Sequence, residues 1–318
     1  MARTKLIDRI TGSRPYQLVR QWTKKRSFPG FEGIPIYSVF DFIRAELHKD
    51  NILIRANAMA FSFFLALFPS IIVLITLLPY LPIRHLTEAL QESIRQLLPT
   101  EAALYITEVI DSLTTVTNSG LLSVSAFLAL WFASNGMMTM LRGFEKNYHV
   151  SYEKRGTIAK RWTALKITFI IGGLFITSMV FIVFGRFVLD TIDMFIEMDD
   201  SRYYSILIVR WVAMFFLFYA GISVTYRYGP SIKRRIRFLS PGATLATILS
   251  LATSVLFSYY LSKFNRYNEL YGSLGALIIL MLWIQLNSLI ILIGYELNAS
   301  IKVNKDMSEL INGESDQD

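Results

Sequence analysis

Cysteine is absent from this 318-residue chain, and histidine occurs three times, at the scattered positions His48, His85 and His149. The first absence excludes disulfides, thiolate metal sites, iron–sulfur ligation and cysteine nucleophiles. The second leaves no HExxH and no recognisable nucleophile–base pair. No GxxxxGK[ST] occurs, so no nucleotide-driven pump is encoded. The stretch Tyr271-Gly272-Ser273-Leu274-Gly275 carries glycines but lacks the phosphate-loop pattern, and it precedes an apolar run. No cofactor and no metal is expected. Charge is also sparse, at 18% of residues against 53% hydrophobic. The first 30 residues are basic and hold no apolar h-region, so they are not expected to act as a cleavable signal.

What the chain has instead is long apolar runs. A run of about 18 or more apolar residues spans a hydrocarbon core about 30 Å thick. Inside lipid such a run must be helical, because every backbone N–H and C=O has to be bonded within the segment. Six runs qualify, at 57–81, 121–141, 162–189, 206–226, 243–261 and 274–298. The fold expected is an all-α, polytopic membrane helical bundle.

Lysine and arginine set the expected orientation. Segment 1–56 holds eleven of them, 82–120 two, 142–161 six, 190–205 one, 227–242 five, 262–273 two and the tail two. Rich and poor segments alternate, so both termini are expected in the cytoplasm. The net charge of +8 is accounted for by topology rather than by nucleic acid, since no aromatic-interleaved basic stripe accompanies it.

Outside the spans, residues 1–35 read as a basic, disordered arm and 303–318 as an acidic tail. Ile36, Val39, Phe40, Ile43 and Leu47 make one apolar helical face, suited to lying along the inner interface or packing beneath the bundle. Residues 84–117 carry two amphipathic patterns separated by Pro99, which reads as an outer helical lid.

Within the spans, small residues recur every four positions. Examples are Ala58, Ser62, Ala66 and Ser70 in the first span and Ala246, Ser250, Ser254 and Ser258 in the fifth. Such ladders let backbones approach closely. A serine-lined aqueous path along the fifth span is the alternative. Pro69 kinks the first span. Gln285 lies near the midplane of the sixth, where an unpaired amide is costly. Glu296, too short to snorkel well, calls for a partner.

Four stretches together resemble the YihY/BrkB family of bacterial inner-membrane proteins. They are Arg55 through Pro69; Leu130-Trp131-Phe132-Ala133-Ser134 with Arg142 through Val150; the basic turn before Pro241-Gly242-Ala243; and Tyr267 through Ala276 followed by Leu282-Trp283 and Gly294 through Ala299. The resemblance covers about residues 36 to 302 and implies a six-span fold. The family has long carried the label of a transfer-RNA-processing ribonuclease, ribonuclease BN, which the absence of a metal or acid–base cluster argues against. Some members are linked to export of an envelope lipid precursor. A transporter or flippase-like handler of a lipid or amphiphile is thus what the resemblance implies, with membrane lipids as partners, no nucleic acid and no enzymatic activity. A non-transporting membrane scaffold is the other reading. For transport, Pro69 would hinge, Gly272 would allow a close helix start, and Trp131, Asn135, Tyr271, Gln285 and Glu296 would line or gate a cavity. Each has a structural reading as well.

Overall fold

The computed structural model describes residues 14–49, 52–77, 91, 104, 107–108, 110–112, 119–145, 151–195, 200–263 and 273–315. Eight helices cover most of this: α1 Arg14–Lys25, α2 Ile36–Lys49, α3 Ile52–Leu77, α4 Ser119–Gly143, α5 Thr157–Phe195, α6 Asp200–Tyr228, α7 Pro241–Lys263 and α8 Ser273–Ser315. Each of α3 to α8 contains one expected span or nearly all of it. Among the described residues there is no strand, only an antiparallel bridge between Tyr152 and Ile232. Four helical stretches, Ile52–Leu77, Gly120–Gly143, Pro241–Tyr259 and Leu277–Ile311, are long and apolar enough to cross a membrane by length and composition.

Local chemistry sets the helix ends. The Ser240 hydroxyl accepts from the Ala243 amide at 3.3 Å, capping α7. Pro241 occupies the first helical position, where its missing N–H costs nothing. At the end of α6 the Gly229 amide closes a last turn on the Thr225 carbonyl at 2.9 Å, and Pro230 prevents continuation. Inside α3, Pro69 is buried and leaves the Leu65 carbonyl without its intrahelical donor.

The six long helices form a closed ring. Consecutive helices α3 to α8 pack pairwise, and α8 returns to pack against α3. A close crossing joins α7 and α8 at Gly242 and Gly294. A methyl group built on Gly242 would stand 2.0 Å from the Gly294 carbonyl oxygen. The small-residue ladder of α7 supplies this seam. Ala246 and Ser250 are buried, and Ser254 receives the Trp283 indole N–H at 3.3 Å. On α3, the Ser62 and Ser70 hydroxyls bond back to Ala58 and Ala66 carbonyls at 2.9 and 2.7 Å. Large apolar side chains cover the outside of the ring, among them Phe61, Ile71, Phe127, Phe169, Ile176, Phe216, Ile248 and Val255. A water-soluble surface would not expose apolar side chains on this scale, whereas lipid solvates them.

The lysine- and arginine-rich segments meet at one end of the ring. Glu153 and Lys233 amides bond to Ser231 and Ser151 carbonyls, zipping the α4–α5 and α6–α7 connections together. Ser151 donates to Asp306 at 2.6 Å and Arg234 contacts Glu309 at 3.1 Å, which ties both connections to α8. At 43 residues, α8 is about 64 Å long, roughly twice a hydrocarbon thickness. It is thus longer than one crossing needs, and its second half forms a post on which the basic end is assembled. Leu297 and Ile301 are covered by Phe31, Ile34, Ile36 and Val39, and the Ser300 hydroxyl donates to the Val39 carbonyl at 2.9 Å.

One segment differs from the sequence expectation. Within 1–35, α1 is helical and Phe31 and Ile34 are buried, because α8 offers them an apolar face beyond the membrane. Within the acidic tail, α8 runs on to Ser315. Of the expected apolar face of α2, Ile36 and Val39 are buried under the bundle while Phe40 is exposed. Most of the expected lid lies outside the described residues. Among those described, Gln91 donates to Asp111 at 2.6 Å, so its two halves touch.

Candidate functional site: an apolar cavity inside the ring

A ring of six helices is too wide to be filled everywhere by side chains, and here it is not. A cavity of about 330 Å³ lies within it, lined from five helices: Phe63 of α3, Met137 and Met140 of α4, Ile171, Leu174, Phe175 and Ser178 of α5, Leu217, Phe218, Gly221, Ile222 and Thr225 of α6, and Ile291 of α8. Only two lining side chains carry hydroxyls, and both are turned back on their own helices. Ser178 donates to the Leu174 carbonyl at 2.9 Å and Thr225 to the Gly221 carbonyl at 2.8 Å. The wall offered to an occupant is hydrocarbon and sulfur.

Two glycines shape it. Gly136 admits the Phe63 ring, whose Cδ1 and Cε1 stand 2.8 Å from where a Cβ would be, and the ring then forms the α3 wall. Gly221 faces open space, with nothing within 4 Å of a Cβ built there. Glycine in a helix interior costs about 1 kcal/mol relative to alanine, so Gly221 leaves room at the expense of helix stability.

The cavity is closed toward the basic end. The Tyr226 hydroxyl donates to the carbonyl of Ile291, one of the lining residues, at 2.6 Å. Below it Phe144, Tyr226 and Tyr295 are fully buried, with Phe144 and Tyr295 ring centres 4.1 Å apart and the Tyr152 and Tyr295 hydroxyls 2.8 Å apart. This aromatic floor seals one side. Among the lining residues Phe175 of α5 and Phe218 of α6 are 54% and 43% exposed, so the cavity is open rather than enclosed. A long apolar chain could enter there; a hydrated ion would find no polar ligand on the way.

Of the seven residues singled out in the sequence, the five that are described, Pro69, Trp131, Asn135, Gln285 and Glu296, do not line this cavity. Trp131 and Asn135 come together on α4 around a third residue, Arg161 of α5. Its guanidinium donates to Asn135 Oδ1 at 2.6 Å and sits 4.7 Å from the Trp131 ring centre. Arg161 counted in the sequence only as a topological charge, and no spacing rule pairs residues on different helices. Gln285 donates to Asn57 of α3 at 2.7 Å, an amide pair on the outer α3–α8 seam. Glu296 is buried beside Tyr295 in the post of α8. Pro69 is buried in α3, while Tyr271 and Gly272 lie outside the described residues. The cavity residues were missed because they are apolar and look like ordinary span. Gly221, following the apolar stretch 211–220 of α6, was the available signal. Among the described residues no group of three or more His, Asp or Glu comes together as metal ligands.

Residues 43–318 match the family described as virulence factor BrkB. The ribonuclease-like protein YfkH of Bacillus subtilis is 32% identical over 268 residues, covering 84% of this chain and 96% of that protein. A UPF0761 membrane protein of Aliivibrio salmonicida is 27% identical over 284 residues, 88% of this chain and 85% of its own. A third relative, the UPF0761 membrane protein of Tolumonas auensis, is 36% identical over 81 residues, about a quarter of each chain. No solved structure matches.

Proposed function

This chain belongs to the virulence factor BrkB family and is an integral membrane protein, and from that premise we propose that it handles a lipid or another amphiphile in the bacterial plasma membrane, moving it or presenting it without acting as an enzyme. The observation that carries this reading is the open, almost wholly apolar cavity inside the ring. An acyl chain is the occupant whose chemistry suits such a wall, since it can pass there from the bilayer without desolvating any polar group.

The proposed topology has six crossings with both termini in the cytoplasm. Its support is the ring order of α3 to α8 and the gathering of the basic segments at one end, where the positive-inside rule wants them together. A scaffold would have more use for a filled core.

The test fills the cavity. Protein reconstituted in liposomes is expected to accelerate transbilayer movement of a fluorescent phospholipid above empty liposomes. Gly221→Phe is expected to slow it at least about tenfold, an effect of about 1.4 kcal/mol, with the unfolding midpoint kept. Gly221→Ala should leave movement near wild type and raise stability by about 0.5–1 kcal/mol. No movement with any lipid class would shift the reading to a scaffold. Movement untouched by Gly221→Phe would place the path elsewhere. The ribonuclease reading carried by the name of YfkH has its own check: with divalent metals present, the purified protein is expected to leave transfer-RNA precursors intact.

A further inference from the structure

A second cavity, of about 230 Å³, opens at the basic end between the turn at 26–35, the α6–α7 connection and the post of α8. It has the opposite character to the first. Arg234, Arg235, Arg237, Lys302 and Lys305 line it, and one carboxylate enters it, that of Glu32. Lys305 Nζ is 2.5 Å from Glu32 Oε2 and Arg237 Nε is 3.5 Å from Oε1. Arg234 and Lys302 reach instead to Glu309 and Asp306, and Arg235 lies 5.0 Å from the Tyr228 ring centre.

The backbone that delivers Glu32 is unusual. Gly30, Glu32 and Gly33 have φ of 89°, 53° and 87°, three left-handed residues within four. Glycine adopts this freely, but for glutamate it is strained. Gly30 has no room for a side chain either, since a Cβ there would meet Pro241 Cγ at 2.8 Å. Phe31 and Ile34, both buried, clamp the turn from either side. The turn is thus held rigidly while its one exposed function, a carboxylate, is pushed among cations. The Glu32 carboxyl is held below its ordinary value, first by its hydrogen bond from Lys305 and then by the charges of Lys305, Arg237 and Lys302, against an opposing effect of burial. It therefore stays ionised through neutral pH, and this contact would be lost only as pH falls through the lowered value.

We infer that this cavity is a binding site for a phosphate-bearing ligand, the headgroup of an anionic membrane lipid or free phosphate, and that Glu32 is a tethered carboxylate holding Arg237 and Lys305 until such a phosphate displaces it. With Arg234 and Lys302 paired to Glu309 and Asp306, and Arg237 and Lys305 sharing Glu32, the five cations still outnumber these three carboxylates by two, and guanidinium and ammonium groups together are the usual ligands of phosphate. The rim favours the lipid source. Leu239 lines the cavity and is 76% exposed, and its neighbour Phe238 is 40% exposed, so apolar surface for acyl chains flanks the cations. The inference rests on the membrane embedding of the chain and not on transport.

The test measures binding of radiolabelled dioctanoyl phosphatidic acid to the full-length protein in nonionic detergent, with dioctanoyl phosphatidylcholine and inorganic phosphate as competitors. E32Q, which keeps the shape and removes the charge, is expected to bind phosphatidic acid at least about fivefold tighter than wild type, because the competing internal ligand is gone. E32D, with its carboxylate drawn back by one methylene, should fall between them and guards against a folding defect in E32Q. The R237Q/K305Q double variant should lose binding. Competition by inorganic phosphate at equal strength would name free phosphate as the source, and its failure would name the lipid. Equal or weaker binding by both E32Q and E32D would overturn the inference, as would retention of binding in the double variant. None of these readouts depends on lipid movement, so this site and the transport reading stand or fall separately.

Discussion

Gly242→Ala is expected to destabilise the bundle by about 3 kcal/mol or more, a large loss for a single methyl group. At this crossing the added carbon meets backbone rather than a yielding side chain. It would stand 2.0 Å from the Gly294 carbonyl oxygen and 2.6 Å from Asn298 Cγ. The reverse change is as crowded: a Cβ on Gly294 would lie 2.6 Å from the Gly242 carbonyl oxygen and 2.6 Å from the Tyr226 hydroxyl. Relief requires α7 and α8 to separate, and van der Waals contact along the seam falls steeply with separation. Unfolding of the purified protein in mixed micelles by titrated dodecyl sulfate reads this directly. Gly221→Ala is the internal control. Both are glycine-to-alanine changes in long helices, yet their expected effects have opposite signs, because one Cβ meets a backbone and the other meets space. Equal midpoints for the two variants would mean that the α7–α8 crossing is looser than its geometry implies.

Asn298→Leu is expected to cost about 2–3 kcal/mol at the same seam by a different route. Asn298 is 4% exposed. Its Oδ1 accepts the Gly242 amide at 2.9 Å and its Nδ2 donates to the Ser240 hydroxyl at 3.0 Å. That hydroxyl in turn caps α7 through the Ala243 amide. The first amides of a helix have no partner within it, so the side chain on α8 completes the start of α7. Leucine keeps the volume and leaves a buried N–H unsatisfied. The measurement is the double-mutant cycle with Ser240→Ala. Asn298 and Ser240 share one network, so their costs should fall short of adding. Strict additivity would show that the two groups act independently.

These two changes concern the seam that joins the cavity to the basic end. Through Gly294, Tyr226 and Ile291 the α7–α8 crossing is linked to the aromatic floor of the apolar cavity. Through Asn298 and the residues after it, it is linked to the basic cavity. An amphiphile has an apolar part and a charged part, and the ring provides a separate environment for each. The apolar environment is lined by side chains such as Phe175 of α5 and Phe218 of α6, and the basic one by the cations around Glu32.

Much of this was legible in the residues. Long apolar runs force helices wherever lipid is the solvent, and each expected span coincides with a long helix to within a few residues at most ends. The ladder on α7 correctly foretold a close seam, and the motif Gly294 through Ala299, which carried much of the family resemblance, sits at its centre. The ends of α8 were less legible. A charged segment after an apolar run reads as a tail, and nothing local says that Phe31 and Ile34 come back to cover it. Trp131 and Asn135 were worth naming, but their partner Arg161 belongs to another helix.

Composition and charge order therefore determined, without further help, that the chain is a helical membrane protein and which of its segments form the long helices. Backbone hydrogen bonding in hydrocarbon leaves no other choice, and that constraint acts within one segment at a time. Only the tertiary structure decided that the helices close into a ring, that the ring leaves an apolar space beside Gly221, and that Glu32 enters a nest of cations near Lys305. Those features depend on which helix faces meet. In lipid, one apolar side chain faces another helix or the solvent at nearly equal cost, so the pattern of apolar residues carries little record of the choice.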